Sequence, residues 1–340
     1  MPQTINLEES PLWNCRFVSL IVSVMSLMAS LFVLLPPMMG REFVVTPLGV
    51  ELPISSLLLF LLGMIVSGPF YNFLFDHFTR KKVGEIAILL TVLSTLGYMY
   101  IDQINWFYAV ILIHGAAFGT VLNLEFSLHI DVSNPKLRRR ANRALIIGIF
   151  VAQAFGYALR IVLYDFCTDL IWVYYTSIAL GILSLITLAV VKVPFRAPIV
   201  RAACSWDRFF LPRAIGLSIN VLFFAVGTSL AISSNYLILG ISWLSVLIDF
   251  ALFVVVLFAI PDLLRMYIGL TAHCQRCTIN NTLMLTWICG FILGIVVASH
   301  LSTLPLGCLD LIALGVIVLA VLMYFTLTRW LYKKLKKREM

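Results

Sequence analysis

Apolar residues run through this chain in stretches of about twenty, separated by short polar links. Crossing the hydrocarbon of a bilayer takes a helix of about 20 apolar residues. Ten stretches approach or exceed that length: Cys15 to Met39, Leu52 to Phe75, Val83 to Ile101, Trp106 to Leu128, Ala144 to Tyr164, Ile171 to Val193, Ala214 to Tyr236, Gly240 to Ile260, Thr282 to Ala298 and Leu306 to Thr328. The pattern predicts an all-α polytopic membrane protein with about ten transmembrane helices. A tight link joins the second stretch to the third. It holds Asp76 together with Arg80, Lys81 and Lys82. So short a connection sets the two helices side by side and antiparallel.

Composition agrees with a bilayer as the solvent. Hydrophobic residues make up 61% of the chain and charged residues 12%, and the mean hydropathy is +1.03. A soluble domain carries about 25% charged residues. The net charge of +8 reads as topology rather than as a nucleic-acid surface. Of the 24 bases, 22 fall on one set of alternate links and on the tail; Arg41 and Arg160 lie elsewhere. Bases are retained on the cytoplasmic side, so both termini are expected there. Met1 to Asn14 holds two acids and no base, and the first apolar stretch exceeds a signal core. It reads as a retained first span.

Pro194 to Arg213 is polar, basic and proline-containing, which interrupts the helical pattern. The expected organisation is therefore a six-helix bundle over 1–193, a cytoplasmic linker over 194–213, a bundle of about four helices over 214–328 and a basic tail over 329–340. Seven cysteines, an odd number, are scattered along the chain and define no disulfide framework.

The links resemble those of the major facilitator superfamily of secondary transporters. Between its second and third spans that family has the pattern G-x-L-x-D-[R/K]-x-G-[R/K]-[R/K]. Here the stretch reads Asn72-Phe73-Leu74-Phe75-Asp76-His77-Phe78-Thr79-Arg80-Lys81. The leucine, the aspartate and the closing basic pair match, while Asn72 and Thr79 replace glycines. After the fourth stretch, Asp131 through Ala141, with Pro135, Arg139 and Arg140, resembles the family's D-x-x-P-x-x-x-R-x-x-A link. His273 through Thr282 resembles the entry to the family's eleventh span. The resemblance implies two bundles rocking about a midplane site, with Asp76, Arg80, Lys81, Asp131, Arg139 and Arg140 as a cytoplasmic gate. It also implies twelve spans, so a missing pair should lie between the seventh span and His273. Ile111 stands where many members have an arginine, and the fifth span lacks the antiporter's proline. Those positions give no support to proton antiport.

Ionisable and polar groups inside a span are costly, and they usually face the bundle interior or a cavity. Asp249, in the middle of the eighth stretch, is the clearest acid. His114, Asn123, Gln153, Arg160 and Asn220 complete the candidate solute pathway, and Glu125 follows Asn123 toward the cytoplasm. The competing reading for each is interhelical glue. His273, Cys274 and Cys277 have metal-like spacing, but structural zinc takes four ligands and no fourth is evident. No nucleophile elbow, phosphate-binding loop or metalloprotease helix is present. Neither an enzyme nor a cofactor is expected.

The expected function is gradient-driven transport of a small solute by alternating access, with a proton as the candidate co-substrate. The alternative is a reduced member of the family that does not transport and acts as a partner or sensor. The partners expected are the lipid bilayer and the solute, with no nucleic acid. The chain is expected to be a monomer in the plasma membrane, which is the inner membrane in a Gram-negative cell.

Overall fold

The computed structural model describes residues 13–39, 55–101, 103–166, 171–191, 210–237, 254–255, 258–267, 276–301 and 308–337. All regular structure among them is helical. The chain divides into two compact units, Met1–Ser205 and Trp206–Met340. Among the described residues, eight helices are long and apolar enough to cross a membrane, and Ser56–Phe70 is a shorter apolar helix. Most of the expected eighth span, with Asp249, lies outside the described residues, as do His273 and Cys274.

The first unit contains α1 (Cys15–Met39), α2 (Ser55–Ser67), α3 (Tyr71–His77), α4 (Arg80–Tyr100), α5 (Ile104–Val132), α6 (Arg138–Phe166) and α7 (Ile171–Val190). Asn14 starts α1 by accepting the Phe17 backbone N–H on Oδ1 at 2.8 Å, the usual work of an N-cap. Phe17, Leu20, Val24, Leu27 and Leu34 then form its buried stripe. α4 shows what kind of solvent surrounds the bundle. Its inner face buries Thr91, Ser94 and Thr95, while Ile86, Leu89, Leu90 and Leu93 point outward and are exposed. That inverts the pattern of a helix on a soluble protein. The three hydroxyls donate to carbonyls of their own helix, at 2.7 Å to Ile88, 2.8 Å to Leu90 and 3.0 Å to Thr91.

The apolar pattern predicts one uninterrupted second span, but the structure breaks it. A 3-10 turn, Gly68–Phe70, separates α2 from α3. Pro69 has no N–H to continue an α-helical ladder. The Tyr71 hydroxyl, 2.7 Å from Ser67 Oγ, donates to the Met64 carbonyl at 3.1 Å across the break. α2 lies directly against α5 because Gly115 has no side chain there. A Cβ at Gly115 would collide with the Phe60 carbonyl oxygen.

Two serine pairs join α1 to α7. Ser30 Oγ lies 2.7 Å from Ser177 Oγ, and Ser23 Oγ lies 3.1 Å from Ser184 Oγ. The serines are seven residues apart on each helix, so antiparallel helices bring both pairs into register.

The second unit contains α8 (Ile215–Leu237), helical residues 258–267, α9 (Arg276–His300), α10 (Cys308–Met323) and α11 (Arg329–Lys337). α8 runs through its core. At Gly294 of α9 a Cβ would meet the Val226 carbonyl and the Ser229 hydroxyl of α8. Leu217, Val221 and Phe224 pack with Leu263, Tyr267, Ile279 and Tyr324. The last span does not end where its apolar stretch does. A π-helical turn, Tyr324–Thr328, leads into α11, and Tyr332 and Leu335 pack back on the same core.

Candidate functional site

The link between α3 and α4 is only Phe78 and Thr79, both extended. The Phe78 N–H closes α3 on the Leu74 carbonyl at 3.1 Å, and the Val83 N–H reaches the Thr79 carbonyl at 3.2 Å. This places Arg80 at the first turn of α4 with its side chain across the end of α5. Arg80 Nη1 donates to Asp131 Oδ2 at 2.7 Å, with the two side chains 12% and 4% exposed. A charge-assisted bond this short is among the stronger kinds. Its near-burial makes removal of one partner expensive, because the other charge is left unpaired.

Two neighbouring contacts fasten further helix ends to the same place. Lys81 Nζ donates to the Ala189 carbonyl at the end of α7. A cation there also complements the negative end of the helix dipole. Asn134 Oδ1 accepts the Lys136 backbone N–H at 2.9 Å, which shapes the turn from α5 to α6. His129 then bridges α5 and α6, with Nδ1 2.6 Å from the Phe126 carbonyl and Nε2 2.6 Å from Asn142 Oδ1. Arg80, Lys81 and Asp131 are thus brought together as one cluster joining the ends of α4, α5 and α7. Arg140 is exposed on the first turn of α6. Asp76 lies on α3 and Arg139 on α6, but the side chains of both are outside the described residues.

Four candidate pathway residues lie in the first unit, His114 and Asn123 on α5 and Gln153 and Arg160 on α6. His114 is buried, with Nδ1 2.8 Å from the Tyr98 hydroxyl and its ring edge-on to Phe60. It ties α2, α4 and α5 together. Asn123 is fully buried on α5, and Arg160 is buried near the end of α6. Gln153 is half-buried on α6. In the second unit, Asn220 Nδ2 donates to the Ala320 carbonyl at 2.8 Å, joining α8 to α10. His114 and Asn220 therefore act as ties within their own bundles.

Another polar group lies deeper in the first unit. Glu125 is 0% exposed. Its Oε1 accepts from Ser23 Oγ of α1 at 2.6 Å, and Ser23 also touches Ser184 of α7. Residue type alone marks Glu125 in the sequence. Its partner Ser23 is 102 residues away in the chain and Ser184, which touches Ser23, is 59 away; only the matching serine spacing on α1 and α7 hints at them.

Three comparisons bear on this arrangement. The family model described as the Major Facilitator Superfamily matches residues 17–337. No curated protein sequence matches the chain. Among solved structures, the chain is similar to the crystal structure of the human organic anion transporter MFSD10 (TETRAN), with a TM-score of 0.66 and 14% sequence identity. That match covers 93% of this chain and 100% of the other. At this identity the likeness shows the fold alone: an all-α, two-bundle membrane architecture.

Proposed function

Because the chain belongs to the major facilitator superfamily, we propose that it is a secondary active transporter that moves a small solute by alternating access. The observation that carries this reading is the buried Arg80–Asp131 ion pair. It joins two links that the superfamily pattern marks as gate elements. Within the first bundle it connects the start of α4 to the end of α5, and Lys81 adds the end of α7. A buried ion pair has two discrete arrangements, made and broken, which suits a latch that holds one state and releases in the other. The distribution of bases supports cytoplasmic placement of this cluster and of both termini. A solute or ion gradient is the energy source we assign.

The test is flux in vesicles containing the purified chain, with an imposed proton gradient. The screen begins with organic anions, because the similar human structure is that of an organic anion transporter, and extends to sugars and hydrophobic drugs. The expected result is gradient-dependent flux of at least one class, with the rate strongly reduced by Arg80→Ala. Absence of flux across the screen, from chain shown to be folded, favours the non-transporting reading.

A further inference from the structure

We infer that the outward face of α11, formed by Trp330, Lys333 and Lys334, is a docking site for the phosphate headgroups of anionic lipids in the leaflet that α11 enters. This surface needs no transport, only that α10 spans the membrane.

The depth of α11 follows from helix length. α10 has 16 residues and the π turn after it has five. At about 1.5 Å per residue they reach about 30 Å, the thickness of the hydrocarbon core. The helix continues without a break into α11, so Arg329 stands at the edge of the hydrocarbon. The headgroup layer beyond it is about 5–8 Å thick, and the rise from Arg329 to Lys334 is about 8 Å. Trp330, Lys333 and Lys334 therefore lie at headgroup depth.

The rotation of α11 follows from its packing. Leu331, Tyr332 and Leu335 are half-buried. Tyr332 and Leu335 pack on the core of the second unit, and Leu331 lies over Gly216 of α8, where a Cβ would meet its Cδ1. With 3.6 residues per turn, this docking turns Trp330, Lys333 and Lys334 to the opposite side, and all three are exposed. Large side chains exposed on α10 and the π turn include Leu311, Val318, Leu319, Leu322 and Phe325. One continuous helix thus changes its outward side chains from leucine and phenylalanine to tryptophan and lysine where hydrocarbon gives way to headgroups.

The chemistry of that face suits a lipid phosphate. An indole settles at the headgroup level because it is amphipathic. Lys334 Nζ lies over the Trp330 ring, 4.9 Å from its centroid, which holds an ammonium beside the indole. Arg329 is engaged inward instead. Its guanidinium lies 5.0 Å from the ring centroids of both Tyr324 and Phe325, and its Nη2 is 3.9 Å from Asp262 Oδ2. From Tyr324 to Arg338 the sequence holds six bases and no acid, so no neighbour in the segment repels an anion. Each base held near an anionic surface strengthens association about fivefold. A base that only fixes topology needs neither a face set by packing nor an aromatic partner.

Fluorescence of Trp330 in the full-length chain tests the inference, taken as the difference between chains with Trp330 and with Trp330→Phe. The chain is reconstituted in vesicles of phosphatidylglycerol and phosphatidylcholine, with bromine on the acyl chains of one lipid or the other. The expected result is quenching that reports a relative affinity of about fivefold or more for phosphatidylglycerol, reduced by raised salt. Lys333→Gln with Lys334→Gln should bring the preference near unity, and Lys333→Arg with Lys334→Arg should keep it. Lys136→Gln, on a link of the first unit, should leave it unchanged. Equal quenching by the two lipids overturns the inference, as does a preference that the double Gln variant retains or that Lys136→Gln removes. Quenching by neither lipid sets the face against water and also overturns it. So does a preference that soluble glycerol phosphate abolishes at constant ionic strength, which assigns the site to free phosphate.

Discussion

Both bundles have close backbone approaches and neutral polar ties, and the first adds ion and histidine pairs that are buried. Among the described residues, the first bundle is tied by ionisable groups in its interior: Arg80 with Asp131, Glu125 with Ser23, His114 with Tyr98 and His129 with Asn142. The second is tied by close backbone approach at Gly294 and by neutral polar pairs, Asn220 with the Ala320 carbonyl and Ser218 Oγ with the Tyr267 hydroxyl at 2.7 Å. Its described ion pair, Arg329 with Asp262, is long at 3.9 Å and more open, with side chains 45% and 21% exposed. Neutral ties have one useful state. Buried ionisable ties have two, because charge or pairing can change. On the transport reading we propose, the contrast would put switching in the first bundle and scaffolding in the described part of the second, where Asp310 of α10 is also a buried acid.

The largest effect should come from breaking the Arg80–Asp131 pair on one side only. Arg80→Ala or Asp131→Ala leaves an uncompensated buried charge and should cost about 3–5 kcal/mol. Thermal unfolding in lipid nanodiscs measures it. The exchange of both residues, Arg80→Asp with Asp131→Arg, should recover much of the loss. If the single variants unfold like wild type, the first bundle has no special dependence on charge and the contrast fails.

Next in size is Gly294→Ala in the second bundle. The added methyl meets the Val226 carbonyl and Ser229, so α8 and α9 must separate, at about 1–3 kcal/mol. Stability should fall, while any pH dependence of flux should be unchanged. A change in pH dependence would place switching in the second bundle as well.

Asn220→Leu should have a smaller effect. It removes one interhelical hydrogen bond, and such bonds in membranes average about 0.6 kcal/mol, with about 1.7 as a maximum. The same unfolding assay should register a modest loss, and a loss comparable to that of Arg80→Ala would overturn the scaffold assignment. Smallest of all is Asp262→Asn. Its pairing with Arg329 is long and solvent-accessible, and exposed pairs contribute about 0.2–1 kcal/mol. A near-neutral midpoint that is insensitive to salt is expected.

Helix positions are largely legible because a bilayer imposes them. The expected sixth and seventh spans begin and end within a few residues of α7 and α8. Two departures have local causes. Pro69 breaks the second span, although the apolar count continues through it. Conversely, the last helix runs past its apolar stretch into the basic tail, where Tyr332 and Leu335 recur on one face and pack on the core. Counting apolar residues misses both, because a proline costs a hydrogen bond and not hydropathy, and a two-residue stripe is too sparse to raise an average.

The candidate site divides along the same line. Arg80, Lys81 and Asp131 are legible in the links, because bases and acids at span ends stand out against an apolar background. Their pairing is not. Asp131, a described partner of Arg80, is 51 residues away. The polar residues His114 and Asn220 read as pathway lining in the sequence, and the structure places them in hydrogen bonds between helices of their own units.

By itself, the sequence determined that this is a helical membrane protein and where most of its helices run. The physical reason is local: without water, each span must satisfy its backbone within its own helix, so length and apolarity are written in consecutive residues. Only the tertiary structure decided which helices touch and which polar groups meet. Hydrocarbon gives one apolar helix no preference for another over lipid, so partner choice falls to small residues and hydrogen bonds. Ser23 becomes the partner of Glu125, and Asp131 that of Arg80, through contacts between residues far apart in the chain.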